Sequence, residues 1–247
     1  MNFLELFKKK SLIAAHRGAS SVAPENTLLA MKKSVGHCDF IEIDVQLSSD
    51  GIAVIIHDET LQRTTNVEKL EAYKERFPYN ICDFSVDELS RLDYGEGETL
   101  LTLKEALKFV KENSLYLNIE IKDVKEKFCD EKIVATVLDV IEELKVQNQV
   151  LISSFRAEYL RLVKKLYPDI PTAFLEDLSH KNNLIEYLKS LNVIAYHINK
   201  TLVDKDIIES LNAEGIFVGV YVVNDTKEQK ELFDMGVSTV FTDLSAT

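Results

Sequence analysis

Two short apolar runs carry polar or charged residues at every second position. In residues 40–47 the acidic pair is Glu42 and Asp44, separated by Ile43 and flanked by Ile41 and Val45; in residues 115–122 the polar series is Asn118, Glu120 and Lys122, alternating with Leu117, Ile119 and Ile121. Side chains two apart on an extended strand share a face. Glu42, Asp44 and Glu120 can therefore converge while their aliphatic neighbours pack on the other side. Three buried carboxylates need a counter-charge. One oxygen-ligated divalent cation, Mg²⁺ or Ca²⁺, with Lys122 beside it, would supply it. A single carboxylate of this kind reads equally well as half of a rim salt bridge; two such patterns on otherwise apolar strands favour the metal.

His16, Arg17 and Gly18 follow the first apolar run, and His57 ends another. Imidazoles titrate near neutral pH, so two at one site suit general acid and general base work, each worth roughly 10²-fold or more. Arg17 offers a planar, permanently charged fork that matches phosphate, and Gly18 lets its loop approach closely. Either histidine alone would read as a structural or surface residue. Their convergence with three carboxylates points to acid/base chemistry instead.

Something must bring residues 16, 42, 57 and 120 together, and the alternation of strand and helix patterns indicates what. Short apolar runs at 12–16, 40–47, 52–57, 115–122, 150–154, 172–175, 193–197, 217–223 and 239–242 are separated by segments of helical period, the arrangement of parallel βα units. Residues 48–51, Ser-Ser-Asp-Gly, are too few for a parallel crossover and close an antiparallel hairpin. The run 52–57 is then a hairpin arm, and eight strands remain: a (β/α)8 TIM barrel, α/β in class. Paired through that turn, His57 should fall roughly opposite Glu42, and His16 should stand at the C-terminal mouth where such barrels carry their sites. Helical stripes fit between the strands: Leu103, Ala106, Leu107 and Val110; Val134, Val137, Leu138 and Ile141; Leu184, Ile185, Leu188 and Leu191. Pro24 and Glu25 are expected in the first turn of another helix, with Leu28, Met31 and Val35 buried and Gly36 as its stop. Residues 58–100 lose the alternation and read as a small inserted subdomain. The whole chain, 1–247, is expected to be one domain.

Composition narrows the partners. With 41 acidic against 29 basic residues and a net charge of -12, nucleic acid and anionic membrane surfaces are disfavoured. No apolar run approaches the length of a membrane span. Cys38, Cys82 and Cys129 have no metal or redox spacing, and the N-terminal MNFLELFKKK lacks the order of a signal peptide. The default expectation is a cytoplasmic protein with ordinary thiols; the oligomeric state is not encoded in any pattern.

Together the segments HRG (16–18), PENT (24–27), EIDVQLSSDG (42–51), IHDETLQRTTN (56–66), IEIK (119–122) and ISSF (152–155) resemble, in order, those of the bacterial glycerophosphodiester phosphodiesterases, over essentially the whole chain. The resemblance implies a barrel of the phosphatidylinositol-phospholipase type and hydrolysis of a small-molecule glycerophosphodiester to glycerol 3-phosphate and an alcohol, through attack by the neighbouring glycerol hydroxyl and a cyclic phosphate. It assigns Glu42, Asp44 and Glu120 to the metal, His16 and His57 to acid/base work, Arg17 and Lys122 to the phosphate, and Glu25 to a supporting place near the metal. It implies that 58–100 is the family's inserted subdomain. Lysophospholipids or glycerophosphate polymers are alternative substrates, and a catalytically silent barrel acting as a binding module is the alternative from another class. Tyr221-Val222-Val223-Asn224 stands where the family often has Trp-Thr-Val-Asn, Ser238-Thr239 where Asp-Gly is common, and Ser245 where Pro is frequent; these departures bear on the pocket wall.

Overall fold

Alternating side-chain direction gives each strand two different environments, and the chain closes around the difference. The computed structural model describes residues 2–124 and 126–243; Ser245 lies outside them. Its strands are β1 (Leu12–Ala15), β2 (Phe40–Leu47), β3 (Ala53–Ile55), β4 (Leu117–Ile121), β5 (Val150–Ser154), β6 (Thr172–Glu176), β7 (Ala195–Asn199), β8 (Phe217–Tyr221) and β9 (Thr239–Thr242). Every strand except β3 pairs in parallel with its neighbours, and pairing of β1 with both β2 and β9 closes an eight-stranded barrel.

The outward residues Ile41, Ile43, Val45, Ile119 and Ile121 pack against helices around the barrel. The expected stripe Leu103, Ala106, Leu107 and Val110 is buried on α3 (Leu103–Glu112), and Val134, Val137, Leu138 and Ile141 are buried on α4 (Asp130–Leu144). Fully burying an aliphatic side chain of this size contributes about 1.5–3 kcal/mol, so these stripes fix the helices to the sheet. The outer ring is completed by α1 (Leu28–Ser34), α5 (Ala157–Leu166), α6 (Leu184–Ser190), α7 (Lys205–Ala213) and α8 (Thr226–Asp234). None of the helices among the described residues is long and apolar enough to cross a membrane.

The N-terminal segment has a structural use. Phe3–Lys8 forms a 3₁₀ helix whose Phe3, Leu6 and Phe7 are buried against Leu12, Phe40, Leu151 and Phe241. These include the first residues of β1 and β2, so the helix closes the end of the barrel opposite the strands' C-terminal mouth. Residues 58–100 hold three 3₁₀ turns and the short helix α2 (Val86–Leu89). Leu61, Val67, Tyr73, Phe84 and Leu89 form a separate apolar cluster that includes Val54 and Ile56 of the hairpin arm.

Several sequence expectations shift. Pro24 and Glu25 precede α1 rather than opening it: Thr27 is the N-cap, accepting from the Ala30 amide, and Asn26 at φ 58° turns the chain into it. Val35 is the C-cap and 40% exposed, so the buried residues of this helix are Ala30, Met31 and Ser34. Gly18 is required by α1: at φ +78°, its missing Cβ would stand 2.7 Å from the Ala30 carbonyl carbon. β7 runs two residues later than expected, from Ala195 to Asn199. The hairpin arm β3 is only Ala53–Ile55, and its register pairs Val45 with Ile55. Two further steps set residue 57 opposite Ile43, not Glu42, and beyond the end of the ladder.

Candidate active site

The C-terminal ends of β1, β2 and β4 bring the charged residues together. His16 and Arg17 follow β1, Glu42 and Asp44 lie within β2, and Glu120 lies in β4 directly beside Asp44, two residues beyond the Asn118 that pairs with Glu42. A carboxylate oxygen from each of Glu42, Asp44 and Glu120 lies within 4.8 Å of the others. Glu42 and Asp44 are buried, and Glu42 Oε1 has no hydrogen-bond partner. An acceptor stripped of water in this way is costly unless a cation or donor faces it. The donor set, oxygen only and compact, is the kind that suits a hard divalent cation.

Electrostatics agree with that fit. Burial, and then the neighbouring Asp44 and Glu120, push the Glu42 carboxyl well above the usual carboxylate range. Burial and Asp44 likewise raise Glu120. Burial acts the same way on Asp44, but Lys122, His57 and Arg17 outweigh it and hold Asp44 low. Burial and mutual repulsion thus favour the neutral form of Glu42 and Glu120, while the cations beside Asp44 favour its charged form.

The protein's own counter-ions are Lys122 and Arg17. Lys122 Nζ donates to Glu120 Oε1 at 2.7 Å and lies 3.6 Å from Asp44 Oδ1. Arg17 has φ 55°, its backbone amide donates to Glu42 Oε2 at 2.9 Å, and its guanidinium donates to Glu25 Oε1 at 2.9 Å with Nε 3.4 Å from Asp44 Oδ2. Burial opposes the charge on Arg17, but Asp44, Glu25 and Glu42 raise its pKa overall.

Each imidazole is held by an aspartate. His16 Nδ1 is 2.8 Å from Asp243 Oδ1, and Asp243 also accepts from Ser20 Oγ at 3.1 Å and from Asn224 Nδ2 at 2.9 Å. His57 Nδ1 is 2.7 Å from Asp58 Oδ1. Because a carboxylate can only accept, Nδ1 carries the proton in each pair and Nε2 is left for another partner. The His16 hydrogen bond is the largest influence that holds Asp243 down, to about 2; the Arg63 guanidinium does the same, more strongly, for Asp58.

His16, Arg17, Glu42, His57, Glu120 and Lys122 line one cleft, whose other wall is Phe155, Leu175, Tyr221, Val222 and Phe241. Asp44 stands behind this surface, bonded to Asn26: Asn26 Nδ2 donates to Asp44 Oδ2 at 2.9 Å, and the Asp44 amide donates to Asn26 Oδ1 at 3.2 Å. Glu25 is set to one side, where Arg63 from the segment 58–100 joins it to Asp58 through bonds of 2.6–2.9 Å. Asp243, Asp58, Asn26 and Arg63 complete the site without a sequence pattern that marks them individually. Asp58 directly follows His57, and Asp243 has the inward parity of β9, but neither signal separates them from ordinary loop carboxylates.

Residues 16–247 match the model of the "Glycerophosphoryl diester phosphodiesterase family". The chain is similar to a glycerophosphodiester phosphodiesterase of Bacillus altitudinis, with 35% identity over 94% of each chain. It is also similar to one of Caldanaerobacter subterraneus, with 32% identity over 95% of this chain and 94% of the relative. Among solved structures it superposes on a phosphodiesterase of Oleispira antarctica in complex with the product sn-glycerol-3-phosphate, with a TM-score of 0.84 and 30% identity over 95% of this chain and 93% of that one.

Proposed function

The chain belongs to the glycerophosphoryl diester phosphodiesterase family, and from that premise we propose that it cleaves glycerophosphodiesters to sn-glycerol 3-phosphate and an alcohol by two-histidine acid/base catalysis. The observation that carries this reading is the pairing of His16 with Asp243 and His57 with Asp58 beside a cleft lined by Glu42 and Glu120, with Asp44 behind them. One imidazole takes the proton of the attacking hydroxyl, and the other delivers a proton to the departing alcohol oxygen. The carboxylate on each Nδ1 fixes ring orientation and tautomer, so that Nε2 exchanges the proton. Asp58 and Asp243 favour the imidazolium that forms when its ring accepts one.

Glu42, Asp44 and Glu120 would hold one divalent cation, Mg²⁺ or Ca²⁺, whose chemistry when bound is to offset charge on the phosphate. Lys122 and Arg17 bring positive charge to the same surface, Lys122 as a flexible point charge and Arg17 as an oriented fork. The glycerol hydroxyl next to the phosphate is the proposed nucleophile, which gives a cyclic phosphate that water then opens. Glu25 acts at one remove, by holding Arg17. The inserted segment 58–100 contributes Arg63, which ties Asp58 to Glu25.

The test is turnover on a panel of glycerophosphodiesters, lysophospholipids and glycerophosphate polymers, with and without chelator. Release of glycerol 3-phosphate from the diesters, lost in chelator and regained with Mg²⁺ or Ca²⁺, is the expected result. Turnover that persists undiminished in excess chelator overturns the metal-dependent reading.

A further inference from the structure

Gln46 follows Glu42 and Asp44 on β2 at the same parity, yet it faces neither the carboxylates nor the cleft. It is buried, and its side-chain nitrogen lies 3.1 Å from the carbonyl oxygen of Ile56, 3.0 Å from that of His57 and 2.7 Å from that of Asp58. Three consecutive carbonyls point at one amide, so the nitrogen, not the oxygen, must face them, and its two protons are shared among three acceptors. This occurs where the hairpin arm leaves the sheet: β3 ends at Ile55, and the last strand-like bond is from the Ile56 amide to the Asp44 carbonyl at 3.0 Å. Past that point the carbonyls of 56–58 have no ladder partner, and buried carbonyls do not stay unpaired. Gln46 replaces the missing ladder with a side chain.

We propose that Gln46 is a positioning residue that sets the His57–Asp58 dyad by gathering the backbone carbonyls on either side of and at His57. The inference rests on the reading of His57 as one of the two proton-transfer groups. A rigid backbone is needed there because His57 and Asp58 are adjacent in sequence and meet side chain to side chain at 2.7 Å, a contact that depends on the backbone angles between them. Behind Gln46 lies a second polar cavity bounded by Glu59, Asn80 and Cys82. With the amide removed, water from this side could satisfy the three carbonyls in several arrangements, and the imidazole would lose its single orientation.

Gln46→Met keeps length and flexibility while deleting the donor. The variant should remain folded and lose about 10- to 100-fold in kcat, with KM within about threefold. The loss should vanish when the same change is made in a His57→Ala background, since a residue that acts through His57 has nothing left to act on. In the wild-type enzyme the Gln46 side-chain amide protons should exchange with solvent at least about tenfold more slowly than those of an exposed glutamine, a measurement that needs no variant to fold. Equal losses in both backgrounds, an unchanged kcat, or rapid exchange of that amide would each overturn the assignment. Wild-type turnover by His57→Ala alone would instead overturn the two-histidine reading, and the exchange measurement would still decide whether Gln46 gathers the carbonyls.

Discussion

The imidazole of His16 meets Asp243 at 2.8 Å across 227 residues of sequence, joining the mouth of the first barrel strand to that of the last. Asp243 also accepts from Asn224 and Ser20, so its carboxylate is fixed from three sides and can in turn fix the ring. Asp243→Asn should keep the shape of the contact but favour the wrong tautomer of His16. The expected loss in kcat is at least about 10-fold, bounded by the roughly 10²- to 10⁴-fold cost of losing a proton-transfer group. The pH dependence has a definite sign. Asp243 is held down to about 2, below the unperturbed value of about 3.9, so its contribution to stability is present above about 3.9 and disappears as pH falls through about 2. Acid unfolding curves of wild type and Asp243→Asn should therefore converge at the lowest pH; parallel curves would count against the dyad.

Cation binding should be visible in stability as well as in rate. Glu42 Oε1 is a buried acceptor without a donor, and burial keeps Glu42 and Glu120 protonated more readily than ordinary carboxylates. Mg²⁺ or Ca²⁺ should then raise Tm, by an amount equivalent to about 2.7 kcal/mol at a concentration 100 times Kd. Because the cation displaces protons from the carboxyls, its apparent affinity should fall as pH is lowered. Glu120→Gln should weaken binding and shrink the Tm shift. A Tm that is insensitive to both ions across the neutral range would remove the metal from the site.

Much of this arrangement is legible in the sequence because strand parity is a local rule. Glu42, Asp44 and Glu120 converge since each alternates with aliphatic residues that must face helices, and the four-residue turn after Leu47 identifies β3 as an arm without any tertiary information. The first helix starts later than the sequence suggests because Pro24 and Glu25 have helix-start chemistry, whereas the capping oxygen is supplied by Thr27. The partners of the histidines were not legible for a different reason. Asp243 and Arg63 are one carboxylate and one guanidinium among many, and only the closure of the barrel or the folding of the segment 58–100 brings them to His16 and Asp58. The position of His57 depends on Gln46, whose long-range role has no periodic signature.

Below the site the barrel interior is tight around a neutral histidine. A Cβ added at Gly219 would stand 2.7 Å from His197 Cδ2 and 3.0 Å from Phe241 Cε2. Gly219→Ala should cost about 1–3 kcal/mol through overpacking, measured as a lower urea midpoint at unchanged slope. His197 itself is buried, and burial pushes its imidazole down to about 3. The unfolded chain, with a histidine pKa of about 6.5, takes up a proton that the folded chain refuses between those values. Stability therefore falls as pH drops from about 6.5 towards about 3. His197→Leu should flatten this part of the profile, whatever it does to stability at neutral pH; an unchanged slope would mean that His197 is not kept neutral.

The division of labour between His16 and His57 can be resolved by the leaving group. If one ring accepts the proton of the attacking hydroxyl and the other protonates the departing oxygen, His16→Ala and His57→Ala should each lower kcat by roughly 10²- to 10⁴-fold with metal affinity nearly intact. A nitrophenyl ester leaves with little need of a proton. The variant lacking the acid should be substantially rescued by that substrate, while the variant lacking the base should not. Both rings have an aspartate on Nδ1, so neither is distinguished by its tautomer; what differs is the surroundings. Burial lowers the pKa of His57, against the pull of Asp44 towards the charged form, which makes the unprotonated ring available at neutral pH and favours His57 as the base. Rescue is accordingly expected for His16→Ala. Lys122→Ala and Arg17→Ala should instead raise KM as well as lower kcat, because they oppose phosphate charge both before and during bond breaking. Equal rescue of both histidine variants, or of neither, would show that the two-histidine scheme is wrong, and rescue confined to His57→Ala would reverse the assignment while leaving the scheme intact.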